Sequence, residues 1–328
     1  MTALSIWARR PPLLVVTPNT CIDVTTWLAT LVPGTVSRSS RTVSTAGGKG
    51  VNVCRTLRTL GRTHRLVGLA PREDARLEQL LAAEGCAFVP VHHDGQGRLA
   101  MIFLEDAGRV TVVNGRGPEP EQWDTSALLP TVRAELAGAP AVACSGSLPP
   151  GLAPDTYGRV VEAAHAAGVE AYVDAAPAVL EATLPFGPDL VSPNVGEAEA
   201  LLHGRTDENV EESGEDLLDR CLEASRELHA RGARRAVVTA GSHGAALTTA
   251  EGTWWLGAAR VPVANPIGAG DSFLAGTSDA LLAGAPDVVA VRTGMAVAAA
   301  AVQHETGGML DPALVAPALA ALPDPVAR

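Results

Sequence analysis

The sequence predicts a three-layer α/β fold, a doubly wound and mostly parallel sheet that carries a small β-sheet lid. Three observations lead there. Short apolar runs alternate along the chain with segments of helical spacing, the pattern of strand–helix–strand units that feed a parallel sheet. Two stretches rich in β-branched residues interrupt that alternation. The 328 residues with 47% hydrophobic content suffice for one large core, so a single domain over 1–328 is expected, with lid hairpins at about 24–45 and 98–113.

The expected strands are "LLVV" at 13–16, "RLVGLA" near 65–70, "AVAC" at 141–144, "EAYVD" at 170–174, "DLVSPN" at 189–194 and "RAVVTAG" at 235–241. Between several of them, "APDTYGRVVEAAHAAG" and "EDLLDRCLEASRELHARG" place apolar residues at helical spacing. The stretches "VTTWLATLVPGTVSRSSRTVST" (24–45) and "RLAMIFLEDAGRVTVV" (98–113) read as hairpins, with turns from Pro33-Gly34 and from Asp106 to Gly108. Standing off the main sheet, they are either a lid whose strand edges favour self-association or surface hairpins with no gating role. "AVAAAAV" at 296–302 is expected to be a tightly packed buried helix. Ligands of doubly wound sheets gather beyond the carboxyl ends of the strands.

Charge and composition narrow the function. A net charge of −11 gives no general attraction to nucleic acid or to an anionic membrane, which leaves a small ligand. An anionic substrate then has to be met by local positive groups. Cys21, Cys54, Cys86, Cys144 and Cys221 lie more than 30 residues apart without a CxxC pair, and the eight histidines never form HExxH. Reduced, mostly buried cysteines and no dedicated transition-metal site are expected. The short apolar run Leu13 to Val16 is too little for a signal-peptide core, and Leu136 to Pro154 is broken by glycines and by Pro149 and Pro150. A cytoplasmic protein with no membrane partner is expected.

Several motifs fail on inspection. "GGKG" at 47–50 has Gly50 where a Walker loop needs Ser or Thr, "GAGDSF" has Phe273 at the third glycine of a dinucleotide fingerprint, and "CSGSLPPG" offers Ser147 without a GxSxG elbow. Four other constellations remain. In "TAGGKGVNVCRTLRTLG", Gly47 and Gly48 run into a helix with Val53, Leu57 and Leu60 on one face, while Lys49 and Asn52 bring a charge and an amide to the same spot. Such a helix entry is either structural or a ligand contact. In "SPNVGEAEALL", Asn194 and Glu197 have the spacing of a capping pair. "VVTAGSHGA" ends a strand at Gly241 and Gly244. "NPIGAGDSF" opens a helix with Gly268, Ala269 and Gly270, whose bare N–H groups attract anions, and yet sets the carboxylate of Asp271 in the same turn.

Taken in order, "PNTCID", "AGGKGVNV", "GSLPPG", "SPNVGE" and "GAGD" give a chain of about 300 residues that resembles the ribokinase/PfkB-type carbohydrate kinases, and within them the 1-phosphofructokinase and tagatose-6-phosphate kinase branch. The resemblance implies a ribokinase-like kinase that uses ATP with Mg2+ to phosphorylate a sugar hydroxyl, with a β-lid that commonly forms a dimer interface. Carried over by motif, Asp271 is the catalytic base and Gly268, Ala269 and Gly270 the anion hole. Asp23 binds sugar hydroxyls, with Gly47, Gly48 and Asn52 lining the same pocket. Asn194 and Glu197 act on magnesium-bound phosphates through water, with no dedicated protein cage for the metal. Thr239, Gly241 and Gly244 run along the ATP phosphates, and Ser147 and Asp174 line the cleft. Arg38 and Arg98 fall where sugar-phosphate kinases carry lid arginines, whose forks grip phosphate oxygens, and Lys49 is placed to assist them.

The chain departs from the family at three places. Ser192 replaces a Lys before "PN", Ala100 replaces an Asn after the lid Arg, and Arg116 stands at a usually uncharged position. The first bears on ATP affinity, the others on the sugar. The leading expectation is conversion of fructose 1-phosphate to fructose 1,6-bisphosphate by a homodimer paired through the lid. The alternatives are a kinase of an unphosphorylated sugar or nucleoside, and a non-catalytic ligand-binding regulator.

Overall fold

Strand β1 (Leu13–Val16) sets the architecture: Leu13 and Val15 point into one hydrophobic core, Leu14 and Val16 into a second on the opposite face, and all four are buried. A strand buried on both faces lies inside a sheet covered by helices on each side. The structure is a computed structural model that describes residues 11–204, 214 and 216–328. Residues 1–10 and Glu215, included in the expectations above, lie outside the described residues.

The remaining strands are β2 (Cys21–Leu28), β3 (Arg41–Gly47), β4 (His64–Pro71), β5 (Phe88–His93), β6 (Leu99–Glu105), β7 (Val110–Asn114), β8 (Ala141–Ser145), β9 (Glu170–Asp174), β10 (Leu190–Val191), β11 (Ala236–Thr239), β12 (Gly244–Thr249), β13 (Gly252–Gly257) and β14 (Val326–Ala327). The helices are α1 (Lys49–Thr59), α2 (Arg76–Ala83), α3 (Leu128–Leu136), α4 (Thr156–Ala166), α5 (Pro177–Thr183), α6 (Val195–His203), α7 (Leu217–Ala230), α8 (Ala269–Leu282), α9 (Asp287–Ala301) and α10 (Val315–Ala321).

Ten strands form the main sheet in the order β14-β13-β12-β11-β10-β9-β8-β1-β4-β5. Pairing is parallel from β5 through β11 and antiparallel from β11 to β14. Because β1 lies between β4 and β8, the strand order reverses there, which opens a crevice at the carboxyl ends. Helices α3 to α7 cover the face that holds Leu14 and Val16, while α1, α2, α8, α9 and α10 cover the other. The Ala-rich stretch lies on α9 with Ala296, Val297, Ala300 and Ala301 buried. Small residues let α8 and α9 touch: a Cβ on Gly276 would lie 2.8 Å from the Cβ of Val297.

The two β-branched stretches form one separate four-stranded sheet, β3-β2-β6-β7. The pairs β2–β3 and β6–β7 are antiparallel, and β2–β6 is parallel. Asp106 to Gly108 make the expected turn, closed by a 2.8 Å bond from the Gly108 N–H to the Glu105 carbonyl. The Glu105 carboxylate accepts from Arg109 (2.6 and 2.7 Å), Thr30 Oγ1 (2.9 Å) and the Leu31 N–H (3.0 Å), which fastens the end of β6 to the segment after β2. Leu99, Met101 and Val113 are apolar and 40 to 46% exposed, and Met101 and Val113 are paired across β6 and β7.

Two expected strands are shorter than read: "RAVVTAG" at 235–241 narrows to β11 (Ala236–Thr239). "DLVSPN" forms only the two-residue β10, because Pro193 has no N–H to donate; beyond it the Pro193 carbonyl accepts from the Thr239 N–H at 3.0 Å and Asn194 keeps a single parallel bridge to Thr239 before α6. No helix among the described residues is long and apolar enough to cross a membrane.

Candidate functional site

The carboxyl ends of β9, β10 and β11 and the start of α8 enclose a cavity of about 930 Å³. It is lined by Asp174 at the end of β9, Asn194 after β10, Thr239 at the end of β11, Gly241 and Gly244 in the β11–β12 turn, and Gly268, Ala269, Gly270 and Asp271. Lys49 and Glu197 complete the wall. Positions spread over more than 200 residues of sequence thus meet at one place, where the order of the parallel strands directs them. A smaller cavity of about 460 Å³ around Arg72 and Trp123, at the β5 edge, holds none of these groups.

Gly268 caps α8 with φ 83°, a left-handed conformation that a side chain would strain, and a Cβ there would lie 2.8 Å from the Gly308 nitrogen. The N–H groups of Gly268, Gly270 and Asp271 find no protein acceptor among the described residues. That of Ala269 turns to the Pro266 carbonyl at 3.3 Å. Ala269 thus has its donor in the turn, and the N–H of Asp271 stands unpartnered beside those of Gly268 and Gly270. A Cβ on Gly270 would meet nothing within 4 Å, so the helix start faces open space.

Asp271 is buried in the first turn of α8, and its pKa is raised to about 7. Burial is the main cause. The Lys49 ammonium opposes it, Asp174 adds to it, the Asn52 hydrogen bond opposes it, and Glu197 adds to it. Lys49 Nζ lies 3.3 Å from Asp174 Oδ2 and 3.5 Å from Glu197 Oε1. Burial pulls the Lys49 pKa down, but Asp174, Glu197 and Asp271 outweigh it and leave the pKa raised. The Lys49 charge therefore faces the acidic groups of the cavity, Asp174 and Glu197.

Asn52 is held from both ends of its amide. Its amide Nδ2 donates to Asp271 Oδ2 at 2.8 Å, and its Oδ1 accepts from Arg55 at 2.9 Å. Arg55 is buried and is itself fixed by Glu84 (2.6 and 2.8 Å) and the Ala46 carbonyl (2.6 Å). Arg55 was missed in the sequence, although it lies three residues after Asn52 on one helix face, a spacing at which side chains meet.

The Asn194–Glu197 spacing is a true capping box. Asn194 Oδ1 accepts from the Glu197 N–H at 2.8 Å, and Glu197 Oε2 accepts from the Asn194 N–H at 3.0 Å. Glu197 Oε1 remains directed toward Lys49. Ser192 lines the same cavity, and its buried hydroxyl has no hydrogen-bond partner among the described residues.

Asp23, on β2, lies in a second group beyond the cavity. A Cβ on Gly47 would fall 2.1 Å from Asp23 Oδ1, so only glycine admits this carboxylate. Burial raises the Asp23 pKa, against the Cys21 hydrogen bond (3.3 Å) and the nearby charges of Arg55 and Arg98. Gly48 caps α1 between the two groups. Arg98 donates to the carbonyls of Gly115 (2.7 Å) and Asn19 (2.9 Å). Arg38 is exposed in the β2–β3 connection, without a hydrogen bond or ion pair among the described residues. Ser147, just past β8, accepts from Asn19 Nδ2 at 3.1 Å, and the same amide donates to the Arg116 carbonyl at 3.1 Å. Asn19 lies within the quoted "PNTCID" but was given no role of its own.

The pattern of the pfkB family carbohydrate kinase matches residues 13–313. Among solved structures, phosphofructokinase-2 from Escherichia coli, in complex with potassium, is similar at 24% identity and TM-score 0.82, covering 94% of this chain and 98% of that one. A possible 1-phosphofructokinase from Thermotoga maritima is similar at 22% identity and TM-score 0.82, covering 96% and 99%. Arabidopsis thaliana ribokinase complexed with ribose and ATP is similar at 21% identity and TM-score 0.72, covering 95% and 99%. With a ribokinase-like sheet, a separate small sheet and a family match over nearly its whole length, this chain belongs to the pfkB family of carbohydrate kinases.

Proposed function

We propose that this sugar kinase transfers the γ-phosphoryl group of ATP to a hydroxyl of a sugar phosphate, with fructose 1-phosphate as the leading acceptor and fructose 1,6-bisphosphate as the product. The observation that carries the reading is Asp271: a buried carboxylate, near-neutral in pKa, beside unpartnered N–H groups at a helix start. Phosphoryl transfer asks for positioning and charge stabilisation more than for covalent chemistry. Backbone donors of Gly268, Gly270 and Asp271 offer that stabilisation to the migrating phosphoryl group. Asp271 orients the acceptor hydroxyl and takes its proton, and a pKa near the working pH suits a general base.

The cavity fits a nucleotide carried with Mg2+: its wall at Gly241, Gly244 and Gly270 is backbone without side chains, and the carboxylates of Asp174 and Glu197 face into it. Those carboxylates would hold the ion through water, and the ion would neutralise charge on the phosphates. Asp23 takes the sugar hydroxyls. The four-stranded sheet serves as the lid, and its exposed Leu99, Met101 and Val113 form the face for a second subunit. A cytoplasmic setting accords with free thiols and an ATP supply.

A coupled assay of ADP release tests the reading with fructose 1-phosphate, fructose 6-phosphate, tagatose 6-phosphate, fructose, ribose and a nucleoside. Turnover of a sugar phosphate with the highest kcat/KM is expected. Preference for an uncharged acceptor overturns the phosphate claim. One observation favours that second reading: the Arg98 guanidinium is already tied to two backbone carbonyls. Arg38→Ala and Arg98→Ala discriminate. Each is expected to raise the sugar-phosphate KM roughly 10- to 100-fold with kcat little changed, the loss of one charge-assisted contact. Neither shifts KM for an uncharged sugar.

The pH profile gives a further expected outcome. In the acid limb, kcat/KM falls tenfold per pH unit below the Asp271 pKa of about 7. Asn52→Ala removes a donor that favours the ionised carboxylate, so the limb moves to higher pH. Asp174→Asn removes a neighbouring negative charge, so the limb moves to lower pH. Measured pH–rate profiles of the two variants should therefore shift in opposite directions.

A further inference from the structure

Behind α1, on the side away from the cavity, Cys54, His64 and Cys86 come together. Each offers one ligand atom, and these atoms all lie within 4.8 Å of one another. They come from three elements: Cys54 from α1, His64 from the first residue of β4, and Cys86 from the turn after α2, where its N–H is fixed on the Leu81 carbonyl at 2.9 Å. His64 Nδ1 donates to the Arg62 carbonyl at 3.3 Å, which sets the tautomer and leaves the lone pair on Nε2. Metal-binding histidines are commonly fixed in this way by a backbone carbonyl. Cys54 is buried, while His64 and Cys86 are half-buried and give access from solvent.

Tetrahedral zinc, with Zn–S about 2.3 Å and Zn–N about 2.0 Å, places its ligand atoms roughly 3.5 to 3.8 Å apart. The three atoms need to close by roughly 1.0 to 1.3 Å at most to meet that geometry. Thiolates and imidazole select zinc over magnesium. Structural zinc sites fill all four positions with protein, whereas three protein ligands leave one position to water, the mark of an exchangeable ion.

We propose that Cys54, His64 and Cys86 form a site for one Zn2+, the two thiols releasing their protons to solvent as the metal–sulfur bonds form. The sequence reading expected no such site, because the ligands are dispersed and no CxxC announces them. The position is next to the active centre in the chain of contacts: Cys54 precedes Arg55, which holds Asn52 and thereby the partner of Asp271.

Co2+ added to the full-length, reduced protein is the direct probe. A thiolate-to-cobalt charge-transfer band and tetrahedral d–d bands are expected at one ion per chain, bleached by one equivalent of Zn2+ and untouched by excess Mg2+. Cys86→Ser and His64→Gln, each checked for a cooperative thermal transition, should lose or weaken the bands. Cys144→Ala, which removes a thiol elsewhere in the core, should keep them. Absence of a thiolate band in the wild type, its survival in Cys86→Ser, or its loss in Cys144→Ala overturns the assignment.

Discussion

Asp271→Asn is expected to lower kcat about 10²- to 10⁴-fold, the usual contribution of a positioned general base. The amide keeps the size of the side chain and can still face the sugar hydroxyl, but it cannot take the proton. The same substitution is expected to stabilise the fold at high pH. Folded Asp271 titrates at about 7, against 3.8 for an unperturbed carboxyl. Between those values the folded protein keeps a proton that the unfolded chain has lost, so stability falls as pH rises through this window, and the penalty is complete above it. Its size is on the order of a few kcal/mol at most. Asn carries no such penalty, and Lys49 retains Asp174 and Glu197 as partners. Thermal melts should therefore show Asp271→Asn above the wild type at pH 8, with the difference vanishing toward pH 4. A variant that is both fully active and less stable at pH 8 would contradict both halves.

Gly47→Ala is expected to have the next largest effect, through the acceptor side alone. The new methyl would stand 2.1 Å from Asp23 Oδ1 and 2.3 Å from Asp23 Cγ, so the carboxylate has to move. Misplacing a substrate-positioning group by about 1 Å costs roughly 10²-fold in rate. The acceptor kcat/KM should fall by about that factor, while KM for ATP stays unchanged, because Gly47 does not line the nucleotide cavity. Overpacking costs about 1 to 3 kcal/mol of stability. Combining Gly47→Ala with Asp23→Ala should recover the melting temperature without the activity. Recovery of neither, or a rise in the ATP KM, would place the strain elsewhere.

Much of this architecture was legible in the chain because its strands are short apolar runs between glycine-marked turns. "LLVV" and "EAYVD" coincide with β1 and β9, and "AVAC" falls within β8. The two-residue β14 was not legible, since Val326–Ala327 gain their strand character only by pairing with Trp254 and Trp255. The residues around the helix starts were found by motif, but their partners were not. Asn52 and Asp271 are 219 positions apart, and nothing local in either segment says that one amide will hold the other carboxylate. Lys49 shows the same limit: beside two glycines it reads as a phosphate ligand, and only the end of β9 and the first turn of α6 supply Asp174 and Glu197 to pair with it. The capping box at Asn194 was legible for the opposite reason, because both of its bonds close within one turn.

The central claim is that Asp271 deprotonates the acceptor while the start of α8 holds the phosphoryl group. A crystal structure with fructose 1-phosphate and a non-hydrolysable ATP analogue tests it most directly. The expected result is an acceptor hydroxyl about 2.6 to 3.2 Å from an Asp271 oxygen, with the terminal phosphate over the N–H groups of Gly268, Gly270 and Asp271. An acceptor seated away from Asp271, or a terminal phosphate bound elsewhere in the cavity, would contradict it.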